Sequence, residues 1–240
     1  MRGEASERRD LWRRKPVLRV VYEDFHRRIL EWCRPGRTLE VGSGIGSLKG
    51  ILPEVVTTDI TAEPWLDAAA DAQALPFSDA SFDNLVVVDV IHHVEFPRRF
   101  LQEAVRVLRP GGRLVMLEPA VTPGSYLFYR FLHDEGVDLS ADPLLDGQPD
   151  PARAPDEANQ AIPTLLFGRR RLAFETQFPE FALRHLAHLS LVAYPLSGGF
   201  RSWSLVSAGA ASALLGLERR LEPVMGRLLG FRLLAVLDRR

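Results

Sequence analysis

Three glycines at alternate positions, Gly42, Gly44 and Gly46, follow directly on the apolar run Leu39-Glu40-Val41. Glycine has no Cβ and tolerates positive φ, so such a turn lets main-chain N–H groups approach a ligand at the carboxyl end of a strand. The spacing is not that of a dinucleotide fingerprint, because G-x-G-x-x-G requires glycine where Ser47 stands. Nor does a lysine and hydroxyl pair of the phosphate-loop kind follow. Asp59 closes a second β-branched stretch, and a carboxylate at a strand end can accept both hydroxyls of a ribose. Asp89 ends a third stretch and is followed at once by His92-His93. Imidazole exchanges protons near neutrality, so either histidine is a candidate general base; capping and core filling are the ordinary alternatives. A second polar cluster, His133-Asp134-Glu135, offers His133 and Glu135 to an acceptor pocket. Consecutive positions do not face one point on a helix or strand, so no metal site is expected there.

The elements that must hold these residues alternate. Apolar positions from Val17 to Cys33 recur at helical spacing, and Pro35-Gly36 stops the helix. Strands are expected at 37–41, 55–59, 66–70 and 84–88, the last buried on both faces because Leu85 to Val88 is continuously apolar. A helix over 97–108, the turn Pro110-Gly111-Gly112 and a strand over 113–118 complete a βαβ alternation, which implies a parallel sheet. Beyond Pro119 the spacing predicts an aromatic helix over 124–133, a long acidic loop over 134–163, a strand over 181–193, two helices within 202–229 and a final strand over 231–237. Long loops of this kind are commonly lids, and Asn159-Gln160 near its end are candidates to complete an acceptor site.

The chain has 240 residues, 46% hydrophobic and 25% charged, with 30 Lys/Arg against 31 Asp/Glu. That balance fits a globular domain and carries no basic field of the kind nucleic acid requires. Cys33 is the sole cysteine, which excludes an internal disulfide and a multi-cysteine zinc site. The basic N-terminus lacks the apolar core of a signal peptide, and the uncharged run 202–217 is too short to span a bilayer, so a cytoplasmic protein is expected. That run can pack on the sheet, form a homodimer seam, or rest on a membrane beside a lipidic acceptor.

Leu39-Glu40-Val41-Gly42-Ser43-Gly44-Ile45-Gly46 resembles the first motif of class I S-adenosylmethionine-dependent methyltransferases, an acid followed by G-x-G-x-G. Asp59, the stretch Asp71-Ala72-Gln73-Ala74-Leu75-Pro76-Phe77 with Ser81-Phe82-Asp83, and Leu108-Arg109-Pro110-Gly111-Gly112 are similar to that family's later motifs in the same order. The resemblance implies a Rossmann-like α/β fold with a seven-stranded, mostly parallel sheet, helices on both faces and an antiparallel last strand, here with a helical insertion before it. It implies one domain over 1–240, with a cofactor core at 17–120, a lid and acceptor loop at 121–165, and a sheet-completing part at 166–240. S-adenosyl-L-methionine is the implied cofactor, held by Glu40, Gly42, Ser43, Gly44, Gly46, Asp59, Ile60, Asp71, Ala72 and Asp89. Asp89-Val90-Ile91-His92 stands where amino-group methyltransferases carry Asn/Asp-Pro-Pro-aromatic, which favours a small-molecule, sugar or lipid acceptor. A non-catalytic cofactor-binding module and a macromolecule-modifying enzyme are the competing classes.

Overall fold

Residues Leu85 to Val87 are fully buried because they sit at the centre of a sheet covered on both faces. The computed structural model describes residues 2–132, 135–150, 152–154 and 156–240. Its strands are β1 (Thr38–Val41), β2 (Val56–Asp59), β3 (Ala68–Ala69), β4 (Phe82–Val88), β5 (Leu108–Pro119), β6 (Phe181–Leu189) and β7 (Arg232–Arg239), in the order β3-β2-β1-β4-β5-β7-β6. The first five are parallel; β7 runs antiparallel to both β5 and β6. The sheet is therefore the seven-stranded, mostly parallel one expected, with its last strand antiparallel.

Alternation of side chains splits the core in two. On one face Leu85, Val87, Leu114 and Met116 pack with Phe100 and Leu101 of α3 (Pro97–Val107). On the other, Val86, Val115, Leu117 and Val236 meet Leu18, Val21, Phe25 and Ile29 of α2 (Pro16–Leu30). Burial on both faces is what makes β4 read as an unbroken apolar run. The Pro110-Gly111-Gly112 turn is absorbed into β5 as an irregularity: the register jumps from Phe82↔Leu108 to Asn84↔Arg113, and Gly111 takes φ +79°.

Five helices depart from the sequence reading. A helix α1 (Arg2–Arg14) precedes α2; charge-rich and lacking an apolar stripe, it offered no periodicity to detect. After α4 (Pro123–Leu132), the helices α5 (Ile162–Phe167) and α6 (Arg171–Gln177) follow the long loop, and α5 falls partly inside the segment taken for lid. The two helices expected within 202–229 are one, α8 (Ala208–Leu229), preceded by the short α7 (Ala193–Ser197). Pro223 lies inside α8 with its ring exposed and does not break it. Two buried carboxylates on α8 tie the helix down around that proline. Glu218 accepts hydrogen bonds from the Val192 and Ala193 N–H groups at 2.7 and 2.6 Å, and Glu222 accepts from Ser190 N–H at 3.0 Å. Ser207 caps the helix, accepting from Ala210 N–H at 3.2 Å.

Helix α8 docks on β6 through Gly226, where a Cβ would lie 2.3 Å from the His188 carbonyl oxygen. Gly226→Ala is expected to destabilise the fold by about 1–3 kcal/mol, the usual cost of overpacking. Urea denaturation would show this as a lowered midpoint at unchanged slope, and an unchanged midpoint would mean that α8 is not seated at Gly226.

Candidate active site

Strand β1 delivers Glu40 into the interior, 3% exposed, with one carboxylate oxygen lacking any partner. Burial is the main cause that raises its carboxyl to about 8; the charge of Asp59 adds to it, while a Ser43 hydrogen bond and Lys49 pull the other way. The glycine turn follows. Gly42 takes φ +70°, and a Cβ on it would strike Val90 Cγ2 at 2.3 Å. At Gly44, φ +52°, a Cβ would meet nothing within 4 Å, so its main chain borders open space. Asp59, at the end of β2, accepts from Gly44 N–H at 2.8 Å and from Thr61 N–H at 3.3 Å. Ile60 beside it is exposed. Trp65 donates to the Gly44 carbonyl at 3.0 Å, and the Arg9 guanidinium of α1 lies 4.3 Å over its ring. Asp71 and Ala72 stand in a tight turn in which Asp71 accepts from Gln73 N–H at 2.8 Å. Gln73 in turn accepts from Phe96 N–H at 3.1 Å, which ties this turn to the loop after β4. Glycines, Asp59, Ile60 and Asp71 thus gather at the carboxyl ends of β1 and β2, around a buried acid with an unmet valence.

Asp89, just past β4, is held by side chains of α2 and β7. Its backbone adopts φ +58°, its carboxylate forms an ion pair with Arg232 of β7, and Tyr22 of α2 donates to it at 3.3 Å. Arg232 is 3% exposed, and its guanidinium lies 4.1 Å over the Tyr194 ring. A buried cation needs its counter-ion, and Asp89 supplies it.

The decisive residue that the sequence reading passed over is Glu118, an acid at a strand end like Asp59. One of its oxygens accepts from Val90 N–H and Ile91 N–H at 2.8 and 2.9 Å, and the other meets His92 Nδ1 at 2.8 Å. Glu135 lies 3.6 Å from His92 Nε2 and is bound by the Gln160 amide. The long loop bonds to the same turn: Asn159 N–H donates to the His92 carbonyl at 2.9 Å, and Arg153 to that of His93 at 2.6 Å. Glu135 and Gln160 therefore converge with His92, while His133 and Asp134 lie outside the described residues. Burial on its own drives the His92 pKa down, but hydrogen bonds to Glu118 and Glu135, reinforced by the charges of Glu118 and Asp89, outweigh it and lift it to about 9. His93 is shifted the opposite way, first by burial and then by the neighbouring His92 charge. Its Nδ1 is buried without a partner. The two rings are 4.2 Å apart at 41°. Among the described residues, one ligand atom each from His92, His93 and Glu135 lies within 4.8 Å of the others, a grouping different from the consecutive 133–135 cluster considered from sequence. This pocket pairs a protonated imidazole with a neutral one beside it, an arrangement suited to moving a proton.

Residues 39–116 match the family model described as a methyltransferase domain. The chain is 51% identical over 66 residues to the ubiquinone/menaquinone biosynthesis C-methyltransferase UbiE of Roseobacter denitrificans, an alignment covering 25% of this chain and 26% of that protein. Against the protein of the same name from Geobacter sulfurreducens the identity is 29% over 142 residues, 50% of this chain and 51% of that one. The matched stretches thus span between a quarter and half of these relatives. In fold, the chain is similar to the crystal structure of an S-adenosylmethionine-dependent methyltransferase from Thermotoga maritima, with TM-score 0.56, 16% identity and coverage of 93% and 92% of the two chains.

With the His92 pKa raised from 6.5 to about 9, the stabilisation from its charged form is complete below 6.5 and is lost as pH rises through about 9. Glu118→Gln should bring the His92 titration, followed by NMR of the labelled imidazole, down by at least a unit while the His185 titration stays in place. An unmoved His92 titration would refute the pairing.

Proposed function

We propose that this chain, whose residues 39–116 match a methyltransferase domain, is a cytoplasmic class I S-adenosylmethionine-dependent methyltransferase. It transfers the methyl group to an oxygen or carbon of a small or lipid-linked acceptor by in-line displacement. The observation that carries the reading is the juxtaposition at the sheet's carboxyl edge of an open glycine turn, an unpartnered buried Glu40 and the His92-His93 turn. All of 1–240 acts as one unit in this reading, with 17–120 for the cofactor, 121–165 over the acceptor and 166–240 completing the sheet.

The residues fit the cofactor by type. Glu40 offers a carboxylate to the ammonium group, directly or through water, and Asp59 has lone pairs left for a ribose diol. Gly42, Ser43, Gly44 and Gly46 supply main chain that approaches closely, and Ile60, Asp71 and Ala72 flank the adenine side. When bound, S-adenosyl-L-methionine supplies an electrophilic methyl group whose leaving group is a neutral thioether. The chain's own task is then to hold the acceptor in line and keep water out. His93, neutral at pH 7, takes the acceptor proton, while charged His92, clamped by Glu118 and Glu135, fixes the turn that carries it. The loop over 135–161 closes the site through its bonds to the His92 and His93 carbonyls. An oxygen or carbon acceptor suits a site furnished with a base, and the biosynthetic methyltransferases that share residues of the cofactor half point to a lipid-linked one.

Calorimetry with S-adenosylhomocysteine tests the cofactor half. Wild type should bind, and Asp59→Ala should bind about 10- to 100-fold more weakly, the value of a lost charged hydrogen bond. Because free Glu40 is protonated at pH 7 and must ionise to receive the ammonium, binding should release a proton. The heat should then differ between phosphate and Tris, and Glu40→Gln should remove the difference. No binding by wild type overturns the proposal.

For the acceptor half, thioether release is followed across a panel of quinol, phenol and sugar acceptors. With His93 titrating below 6.5, kcat/KM should climb through acid pH and be flat at neutrality. His93→Gln should lower it about 10²- to 10⁴-fold. An undiminished rate in that variant would remove His93 from the chemistry.

A further inference from the structure

Helix α8 exposes the wrong residues for a helix that merely covers a sheet. Its only acids, Glu218 and Glu222, are buried, while Leu217, Leu221, Val224 and Leu228 form a stripe on the solvent side, Val224 being 84% exposed. The spacing 217, 221, 224, 228 is one continuous helical face. Arg220 and Arg227 stand along that stripe, both exposed. Helix α4 lies alongside α8, running the other way. Gly124 at its start packs against Leu228 and Leu229, and the Leu132 carbonyl at its end accepts from Arg201, a few residues before α8 begins. Its outer side presents Leu127, Phe131 (73% exposed) and Arg130, and α4 contains no acid at all. Two adjacent helices thus expose large apolar side chains with arginines among them, and neither exposes a single carboxylate.

We infer that this α4–α8 face is a docking surface for an anionic lipid bilayer. Apolar side chains enter the headgroup boundary and arginines meet phosphate, which is the chemistry of an interfacial helix. A second copy of the chain fits the face poorly: a two-fold contact would set the arginines of one copy against those of the other with no acid between them. Soluble partners with exposed acids are answered by the salt and lipid arms of the test below. The placement also suits the reaction. Helix α4 follows directly on β5, which ends in Glu118-Pro119, and its inner side carries Tyr129, whose hydroxyl donates to the Phe231 carbonyl next to Arg232. The lipid surface would lie on the side of α4 opposite Tyr129. In this the inference deepens the lipid-linked acceptor of the proposed function and rests on that reading for its purpose, though not for its chemistry. The sequence alone offered sheet packing, a dimer seam or membrane contact for 202–217; the inference puts the membrane contact at 217–228 and on α4 instead.

The test is co-sedimentation of the whole chain with phosphatidylcholine vesicles, with and without phosphatidylglycerol. Binding should require phosphatidylglycerol and weaken as salt rises. The double variant Arg220→Glu with Arg227→Glu, and separately Val224→Asp with Leu228→Asp, should each lose it about ten-fold or more. All these positions are exposed, and S-adenosylhomocysteine binding with wild-type affinity would confirm that the variants are folded. Absence of wild-type sedimentation with anionic vesicles overturns the inference. So does a concentration-dependent dimer that Val224→Asp splits, or vesicle binding that none of the variants weakens. Vesicle binding by a protein that does not bind S-adenosylhomocysteine would leave the docking surface standing and sink the methyl-transfer reading instead.

Discussion

Glu118 is the side chain on which the catalytic end of the sheet depends. It is 1% exposed, yet both its oxygens are spoken for: one by two consecutive main-chain N–H groups after β4, the other by His92. A carboxylate buried to this degree is tolerated only with such a set of donors. In exchange it fixes the path of the chain just beyond Asp89, where the backbone turns through positive φ, and it keeps His92 charged. The long loop is then tied to that fixed turn through the His92 and His93 carbonyls. Removing the carboxylate would leave three donors facing an apolar interior, so the geometry of the turn and the protonation state of His92 are not separable properties.

The C-terminal half shows the same logic of buried charge used for position. Arg232 on β7 is paired to Asp89 beyond β4, two strands away across β5, and packed against Tyr194. Arg28 joins Asp24 of its own helix to Glu222 of α8, and Glu222 also takes the Ser190 N–H. Such networks contribute little net stability against a well-packed apolar alternative, but each admits few arrangements. They decide which face of α8 turns inward. With Glu218 and Glu222 committed to main-chain donors inside, Leu217, Leu221, Val224 and Leu228 have nowhere to go but out. The exposed apolar face is therefore a consequence of specific buried hydrogen bonds.

Legibility in the sequence follows from these two modes of construction. Where a segment is specified by apolar periodicity or by main-chain requirements, it could be read: β1 to β4, the glycine turn, Asp59 and β7 all fall within a residue or two of where they were expected, whereas β5 begins five residues before its expected start. Where a segment is specified by a side chain meeting a distant partner, it could not. Nothing local marks Asp89 as the counter-ion of Arg232, which lies 143 positions further along the chain. Nothing near Pro223 says that the two buried glutamates before it, Glu218 and Glu222, are bound to the main chain at 190–193. Glu118 was the missed residue with a visible signal, an acid ending a buried strand, the same sign by which Asp59 was found.

The two halves of the candidate site meet at one residue. Val90 donates its N–H to Glu118 and presses its side chain on Gly42, at a distance that admits no Cβ there. The glycine turn and the histidine turn are thus held at a fixed separation by a single valine whose main chain belongs to one network and whose side chain belongs to the other. In-line displacement demands such a fixed separation, because the donor and the acceptor base must be aligned to within a fraction of an ångström while neither touches the other. Gly42 is needed less for its own freedom than for the room it leaves Val90. Enlarging either residue would change that separation, on which the proposed in-line displacement depends.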